Sequence, residues 1–456
     1  MTFQVEFQVV VLAAGRGSRM SELTTEKPKC LLPVGPKPMV WYPLHKLQTS
    51  GFTDVIMIVL ENEKAEIQNT LDKSDLDIKI DYVCISENGD LGTADSLKVV
   101  HDKLTSDVLV VPCDFVTDAS LKGLLDTFRK HNSTIAALLI QPQPSEVFVV
   151  PGPKSKHKPE LDIIGIDSQT NRLVFLASAS DYENELTLPT SLLKKHTNIV
   201  MYSHLIDSHV YVIKKWVVDY LKTLDSFNSI KGELLPHIIK KQLSKPPKAV
   251  NTNTSIINTG DNGDIFVFAK EDDLDLRIRT TSSYNDHTGD LKATYHDDPI
   301  RCYAYIAPKE NFGVRLNTLP TYWWLNNKIS DKWDSITGGK SLLMQHPKAD
   351  IKSNQVDNKC IIWESAKLNE KTSFKNSIIG SNTEISSFSR VFNSIIMNNV
   401  TIKEKVAIEN CIVCDGVTVE SGCQIKNCLI GSNHLVPEQS EHSNEVLTES
   451  DRLMVI

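Results

Sequence analysis

Apolar residues in the last quarter of the chain recur at steps of six, six and five: Ile379, Ile385, Val391, then Ile396, Ile402, Ile408, then Val413, Val419, Ile425 and Ile430. Asn376, Asn393, Asn410 and Asn427 mark the same repeat, and one unit further back the register falls on Ile362, Leu368 and Phe374. Neither the period of an α-helix nor the alternation of a long strand fits this pattern. Short strands fit it, each pointing one aliphatic side chain inward and joined by corners of Asn, Ser, Gly and Asp. Three such sides close one turn of a parallel β-helix. The spacing predicts about four and a half coils over 346–435, with 436–456 as a C-terminal tail outside the pattern.

Residues 1–345 follow a different rhythm. "VVVLAAG", "DVIMIVL", "IDYVCI", "DVLVVPCD" and "TIAALLI" are Val- and Ile-rich strands, separated by helical stretches such as "MVWYPLHKLQTSG", "EKAEIQNTLDKS", "TADSLKVVHDKL" and "DASLKGLLDTFRKH". This alternation predicts an α/β domain with a mainly parallel sheet covered on both faces. Ligands of such sheets bind outside the carboxyl ends of strands, where "AAGRGSR" and "PCDFVTD" fall. Three Pro-, Gly- and Ser-rich stretches are predicted as surface insertions or linkers: 143–160, which holds the basic loop Lys154 to Lys158, then 243–264 and 279–299.

Composition narrows the class. With 456 residues and 41% hydrophobic, the chain can build about three cores. A formal charge of −8 gives no overall footprint for nucleic acid or an anionic membrane. The apolar run at the N-terminus is too short to span a bilayer and lacks a basic leader. Nine cysteines, an odd number, are expected as free thiols in a reducing compartment, which makes cytosol the expected location. Cys411 and Cys414 form a CxxC, but Cys411 and Cys428 share a repeat position with Ser377 and Ser394, and residues three apart on a strand point to opposite faces. No metal is expected there.

Among motifs, Gly15 and Gly17 let a backbone approach phosphate, with Arg19 and Lys29 as cationic partners. A dinucleotide fingerprint is excluded because Met20 stands where its third glycine belongs. "DSITGGKS" at 334–341 lacks both the first P-loop glycine and a preceding strand. Asp114 ends an apolar strand where a carboxylate could hold Mg²⁺, with Asp118 following, although such an aspartate is equally a cap or turn residue.

"LAAGRGSRM", "KPKCLLPVGPKP", "LGTADSL" and "DVLVVPCDFVTD", followed by hexapeptide coils, together resemble the sugar nucleotidyltransferase superfamily with a left-handed β-helix. The resemblance implies a Rossmann-like nucleotidyltransferase domain and then a left-handed parallel β-helix. By position, Gly15, Gly17, Arg19, Lys29, Gly92 and Asp114 match the nucleotide half of that family's site. The sugar half departs: "IDSHVYVIKK" places His209 and Val210 where Asn-x-Gly-x-Tyr has small residues. The Glu-Lys-Pro strand has no counterpart, and no tryptophan begins the Trp-x-Asp-x-Gly that carries the second metal aspartate. Glu22, Leu23 and Thr24 replace Pro-Leu-Thr. Within the superfamily, "KPKCLLPVGPKPMVWYPL", "SFNSIKGELLPHIIKKQ" and "RCYAYIAPKENFGVRLNTLPTYWWLN" are most similar to the gamma-subunit family of translation initiation factor 2B.

This resemblance implies a pseudoenzyme with no catalytic residue, cofactor or metal. Its implied partners are an epsilon subunit that performs exchange, the alpha, beta and delta subunits, and translation initiation factor 2 as substrate. The 26 residues after Ile430 leave no room for the helical exchange domain of an epsilon subunit. Two rival readings stay open. One is an active sugar-1-phosphate nucleotidyltransferase such as a mannose-1-phosphate guanylyltransferase, and the other a stand-alone solenoid adaptor.

Overall fold

The computed structural model describes residues 6–86, 91–142, 149–153, 161–182, 185–244, 264–269 and 298–448, with single positions 274, 277 and 281. The chain divides into two compact units. The first holds Met1–Ala14, Lys46–Gln143 and Pro159–Val314; the second holds Gly15–His45, Pro144–Lys158 and Arg315–Ile456. This division cuts across the boundary at 345 drawn from the sequence. The basic loop at Lys154 to Lys158 lies outside the described residues.

Ten strands form the two larger sheets of the first unit: β1 (Phe7–Leu12), β2 (Asp54–Leu60), β3 (Lys79–Ile85), β4 (Asp107–Pro112), β5 (Ile135–Ile140), β6 (Asp162–Asp167), β7 (Leu173–Ser178), β8 (Ile199–Tyr202), β9 (Ile206–Ile213) and β10 (Cys302–Ile306). Seven of them form one sheet in the order β10-β5-β9-β4-β1-β2-β3. β9 is antiparallel to both neighbours, and every other pairing is parallel. Continuous apolar runs suit strands buried on both faces: Val108 to Val111 and Ile135 to Ile140 are all buried. β6, β7 and β8 form a separate antiparallel sheet. β1 and β4 lie side by side, with Leu12 opposite Pro112, so the residues that follow both strands emerge at the same sheet edge.

In the second unit, the short strands stack into three six-stranded parallel sheets, one per side of a β-helix. Adjacent coils pair seventeen residues apart, as in Ile362↔Ile379↔Ile396↔Val413↔Ile430↔Leu447. Every aliphatic or aromatic position predicted to point inward, from Ile362 to Ile430, is at most 2% exposed. The ladder continues beyond 435 through Leu435–Val436, Glu441–Ser443 and Val446–Leu447. There His442 occupies the register position of Ile425, so one of the three aliphatic positions is lost while the coil continues through Val436 and Leu447. We number the coils one to six from Asp350–Ile351.

At each of the three corners the backbone takes a left-handed conformation, which costs an ordinary L-residue roughly 1–2 kcal/mol and is tolerated best by Gly and Asn. One corner uses Ser365, Asn382, Asn399, Gly416 and Asn433; another uses Asn376, Asn393, Asn410, Asn427 and Asn444. In the second of these the amide Nδ2 groups donate in sequence to the next Oδ1, at 2.8, 2.5, 3.1 and 3.1 Å. The remaining corner carries Lys371, Phe388, Lys405, Gly422 and Gln439.

One side of the coil is apolar on both surfaces. Ile361, Ile378, Ile395, Ile412 and Leu429 alternate with the inward residues and so point outward, yet all are buried. The helix Leu319–Thr337 covers part of this side: its Asn326, Asn327, Ile329 and Ser330 line a cleft with Ile361, Ile378 and Ile395. Thr318 and Thr321 cap its start, and Gly338, left-handed at φ 70°, ends it. "DSITGGKS" is therefore the last turn of a helix with its glycine cap, and no strand leads into it. The described segment 149–153 covers the far end of the same side, where the Gly152 N–H donates to the Asn427 carbonyl at 2.8 Å.

Candidate functional site

Of the residues matched to the family's nucleotide half, Gly15, Gly17, Arg19 and Lys29 belong to the second unit, and Gly92 and Asp114 to the first. The loop 15–29 follows β1 without forming a long helix; Ser18–Met20 is a single 3₁₀ turn and Ser21–Thr24 a single α turn. Gly17 is required by the local chain: its φ is +71°, and a Cβ there would lie 2.8 Å from Thr24 Cγ2 and 3.4 Å from Lys29 Cβ. Gly15 has no such constraint, since nothing lies within 4 Å of its Cβ position. Met20 and Leu23 anchor the loop by burial. Arg19 is exposed and Lys29 half-buried.

The same loop is latched to the coil mostly by residues the sequence pattern did not single out. Lys27 Nζ lies 2.7 Å from Asp415 Oδ2, while Asp415 Oδ1 accepts from the Asn398 N–H at 2.7 Å. Asn433 Nδ2 donates to Glu26 Oε2, and the Cys414 thiol faces the Glu22 carbonyl at 3.9 Å. Further along, Tyr322 donates to the Pro33 carbonyl at 2.6 Å, and the Gly35 N–H to Asn326 Oδ1 at 2.9 Å. Trp41 stacks on Trp333 with ring centroids 5.9 Å apart. The signal available in the sequence was the pair of adjacent aliphatic residues in "NSII", "NSII", "NCIV" and "NCLI", which marks a side that must be covered.

The two thiols of the CxxC diverge as the repeat requires. Cys411 Sγ donates to the Glu409 carbonyl at 3.1 Å inside the repeat ladder, whereas Cys414 faces the docked loop. Burial pushes both thiols up to about 12. Among the described residues no group of three or more His, Cys, Asp or Glu side chains is arranged to hold a metal.

In the first unit, Asp114 is buried two residues beyond β4. Asp118 is engaged elsewhere: its Oδ1 accepts from the Phe312 N–H at 2.6 Å and from Asn311 Nδ2 at 3.3 Å. Gly92 caps the helix Thr93–Val99, and a Cβ there would meet the Asn228 carbonyl oxygen at 2.1 Å. That carbonyl accepts from the Ala94 N–H at 2.8 Å, and Thr93 Oγ1 accepts from the Ile230 N–H at 2.9 Å. The glycine of "LGTADSL" is thus accounted for by the chain's own backbone at "SFNSI".

The turn matched to the family's sugar half has neither the asparagine nor the glycine of that pattern. His209 sits at φ 57° in a bulge of β9 between Asp207 and Tyr211, where the family has glycine. Asp207 accepts from the His209 N–H at 2.9 Å and from the Tyr211 hydroxyl. Burial raises the Asp207 carboxyl above its ordinary range, with Lys231 and the Tyr211 hydroxyl pulling the other way. Lys231 Nζ pairs with Asp162 Oδ2 at 2.8 Å, while the buried Asp162 Oδ1 has no hydrogen-bond partner. Apart from Asp162 Oδ1, the polar groups named around this turn are paired with one another or with its backbone.

Comparison with known proteins adds to this geometry. The family described as Nucleotidyl transferase matches residues 8–148, and the one described as EIF2B subunit epsilon LbH domain matches 345–441. The translation initiation factor eIF2B subunit gamma of Caenorhabditis elegans is 30% identical over 83% of this chain and 81% of its own length. The chain belongs to the eIF2B gamma-subunit family. The Schizosaccharomyces pombe gamma subunit is 29% identical over 72% of this chain and 66% of its own. A mannose-1-phosphate guanyltransferase of Saccharomyces cerevisiae is 30% identical, but over only 31% of this chain and 40% of its own. Similarity to the Caenorhabditis elegans gamma subunit therefore covers most of the chain, while that to the enzyme covers less than a third of it. Among the described residues no helix is long and apolar enough to cross a membrane.

Proposed function

We propose that this chain is a noncatalytic scaffold of the eIF2B complex, pairing in the cytosol with an epsilon subunit to promote GDP/GTP exchange on translation initiation factor 2. In this reading the alpha, beta and delta subunits complete the assembly. The nucleotidyltransferase domain is retained as a shape, contributing contacts and orientation rather than bond chemistry. The observation that carries the reading is the turn at Asp207 to Tyr211. An enzyme's sugar subsite must hold its polar groups ready for substrate, and here Asp207 is engaged by Tyr211 and its own backbone while Lys231 is engaged by Asp162. Phosphoryl-transfer catalysis rests on positioning and charge neutralisation, so such a site gives little transition-state stabilisation.

The test is GDP release from purified translation initiation factor 2, driven by the epsilon subunit alone and with this chain added. Acceleration by the pair, in a complex that co-purifies, is the expected result. No acceleration and no complex would sink the proposal. The rival reading, a mannose-1-phosphate guanylyltransferase, draws on the similarity to such enzymes over 147 residues. It requires pyrophosphate release from GTP and mannose 1-phosphate that disappears in Asp114→Ala.

A further inference from the structure

The third corner of the coil departs from the rule the other two obey. In coils two to four it places Lys371, Phe388 and Lys405 at φ 59°, 63° and 58°, where the other corners mostly use Asn. A bulky aromatic residue in this conformation is uncommon, and retained strain of this kind points to a role outside stability. Phe388 gains little from packing, because 52% of it is exposed. The Lys371 ammonium lies over its ring at 4.9 Å from the centroid.

The side that follows this corner supports the same conclusion. On its outer surface Ser373 pairs with Arg390 and Arg390 with Ala407, and in the next column Lys375 pairs with Phe392 and Phe392 with Glu409. Lys375, Arg390 and Ala407 are exposed, in contrast to the side covered by Leu319–Thr337. The acid in these columns, Glu409, is held by Lys426 at 3.1 Å. From Lys367 to Glu409 the coil carries six basic and four acidic side chains, and from Asn410 to Thr448 one basic and five acidic. In a chain of net charge −8, basic surplus is thus gathered in the same coils as the strained corner.

We propose that this corner and the outer surface after it, over coils two to four, form a docking surface for an acidic segment of a partner protein, with Phe388 seating an apolar side chain of that segment. Lys371, Lys375, Arg390 and Lys405 supply the complementary charge. A protein segment fits better than nucleic acid, since so small a surplus is a poor match for a continuous phosphate array. The inference stands on the coil's geometry and goes beyond the proposed exchange role, so either can fail without the other.

Phe388→Asn separates contact from stability, because Asn is the residue the other corners use. The full chain is titrated against a fluorescein-labelled twelve-residue peptide of alternating Glu and Leu, and against a labelled twelve-nucleotide RNA, by anisotropy. Expected is peptide binding by the native chain, weakened at least tenfold by Phe388→Asn while the thermal midpoint holds or rises. Arg390→Glu should weaken binding comparably. The proposal is overturned if the native chain ignores the peptide, if Phe388→Asn lowers the midpoint, or if the RNA binds more tightly and with the same sensitivity to Phe388→Asn.

Discussion

The coil and the carboxyl edge of the parallel sheet use left-handed turns and buried polar groups to opposite ends. In the coil one solution is repeated: Asn393, Asn410 and Asn427 have the same conformation, the same amide partners and the same neighbours above and below. At the sheet edge each residue has its own. Gly92 answers to the Asn228 carbonyl, Asp118 to the Phe312 N–H, and His209 holds a glycine-like turn beside Asp207. Repetition makes a residue's role predictable from its register. At the edge of a nucleotidyltransferase domain, matching a motif residue establishes where it is, while the neighbouring chain decides what it does.

Substitutions can test how far that contrast extends. Because the two units need not unfold together, each is best read by hydrogen-exchange protection within its own unit alongside urea denaturation of the full chain. The largest loss is expected for Ile396→Ala, buried between coils, at about 4 kcal/mol. Gly92→Ala should cost about 3 kcal/mol, since its methyl collides with a backbone oxygen that cannot swing away. A smaller loss would mean that the turn at Asn228 yields and that the glycine serves something else. Asn410→Ala should cost about 2 kcal/mol, through an unfavourable left-handed alanine and two lost ladder bonds. Gly15→Ala should change stability by no more than about 0.5 kcal/mol, because the space beside it is open. A large loss there would show that motif glycines at this edge are structural without exception.

How much of this was legible in the sequence differs between the two regions for the same reason. Aliphatic residues at six, six and five, with Asn at each seventeenth position, can hardly arise except from stacked coils, and the inward positions from Ile362 to Ile430 could be read off directly. The sixth coil was missed because His442 breaks the aliphatic run at one inward position, although Val436 and Leu447 keep theirs and strand pairing persists. The strands of the parallel sheet were legible as Val- and Ile-rich runs, and the nucleotide-half residues as motif matches. Their surroundings were not: Asn228 lies 136 positions from Gly92 and Asp415 lies 388 from Lys27, and local pattern carries no information on such pairings. The covered side of the coil was written in the doublets Ile361-Ile362 and Ile378-Ile379, where two adjacent aliphatic residues cannot both face one core.

Those doublets also bear on how the molecule can be cut. A fragment beginning at 346 would retain every coil, yet leave Ile361, Ile378, Ile395, Ile412 and Leu429 as a greasy stripe in water, stripped of Leu319–Thr337 and of residues 15–45. Such a stripe invites self-association. The coil is therefore half of a clasp whose other half is written at both ends of the nucleotidyltransferase sequence, and dissection of this protein by sequence boundaries would sever partners that fold together.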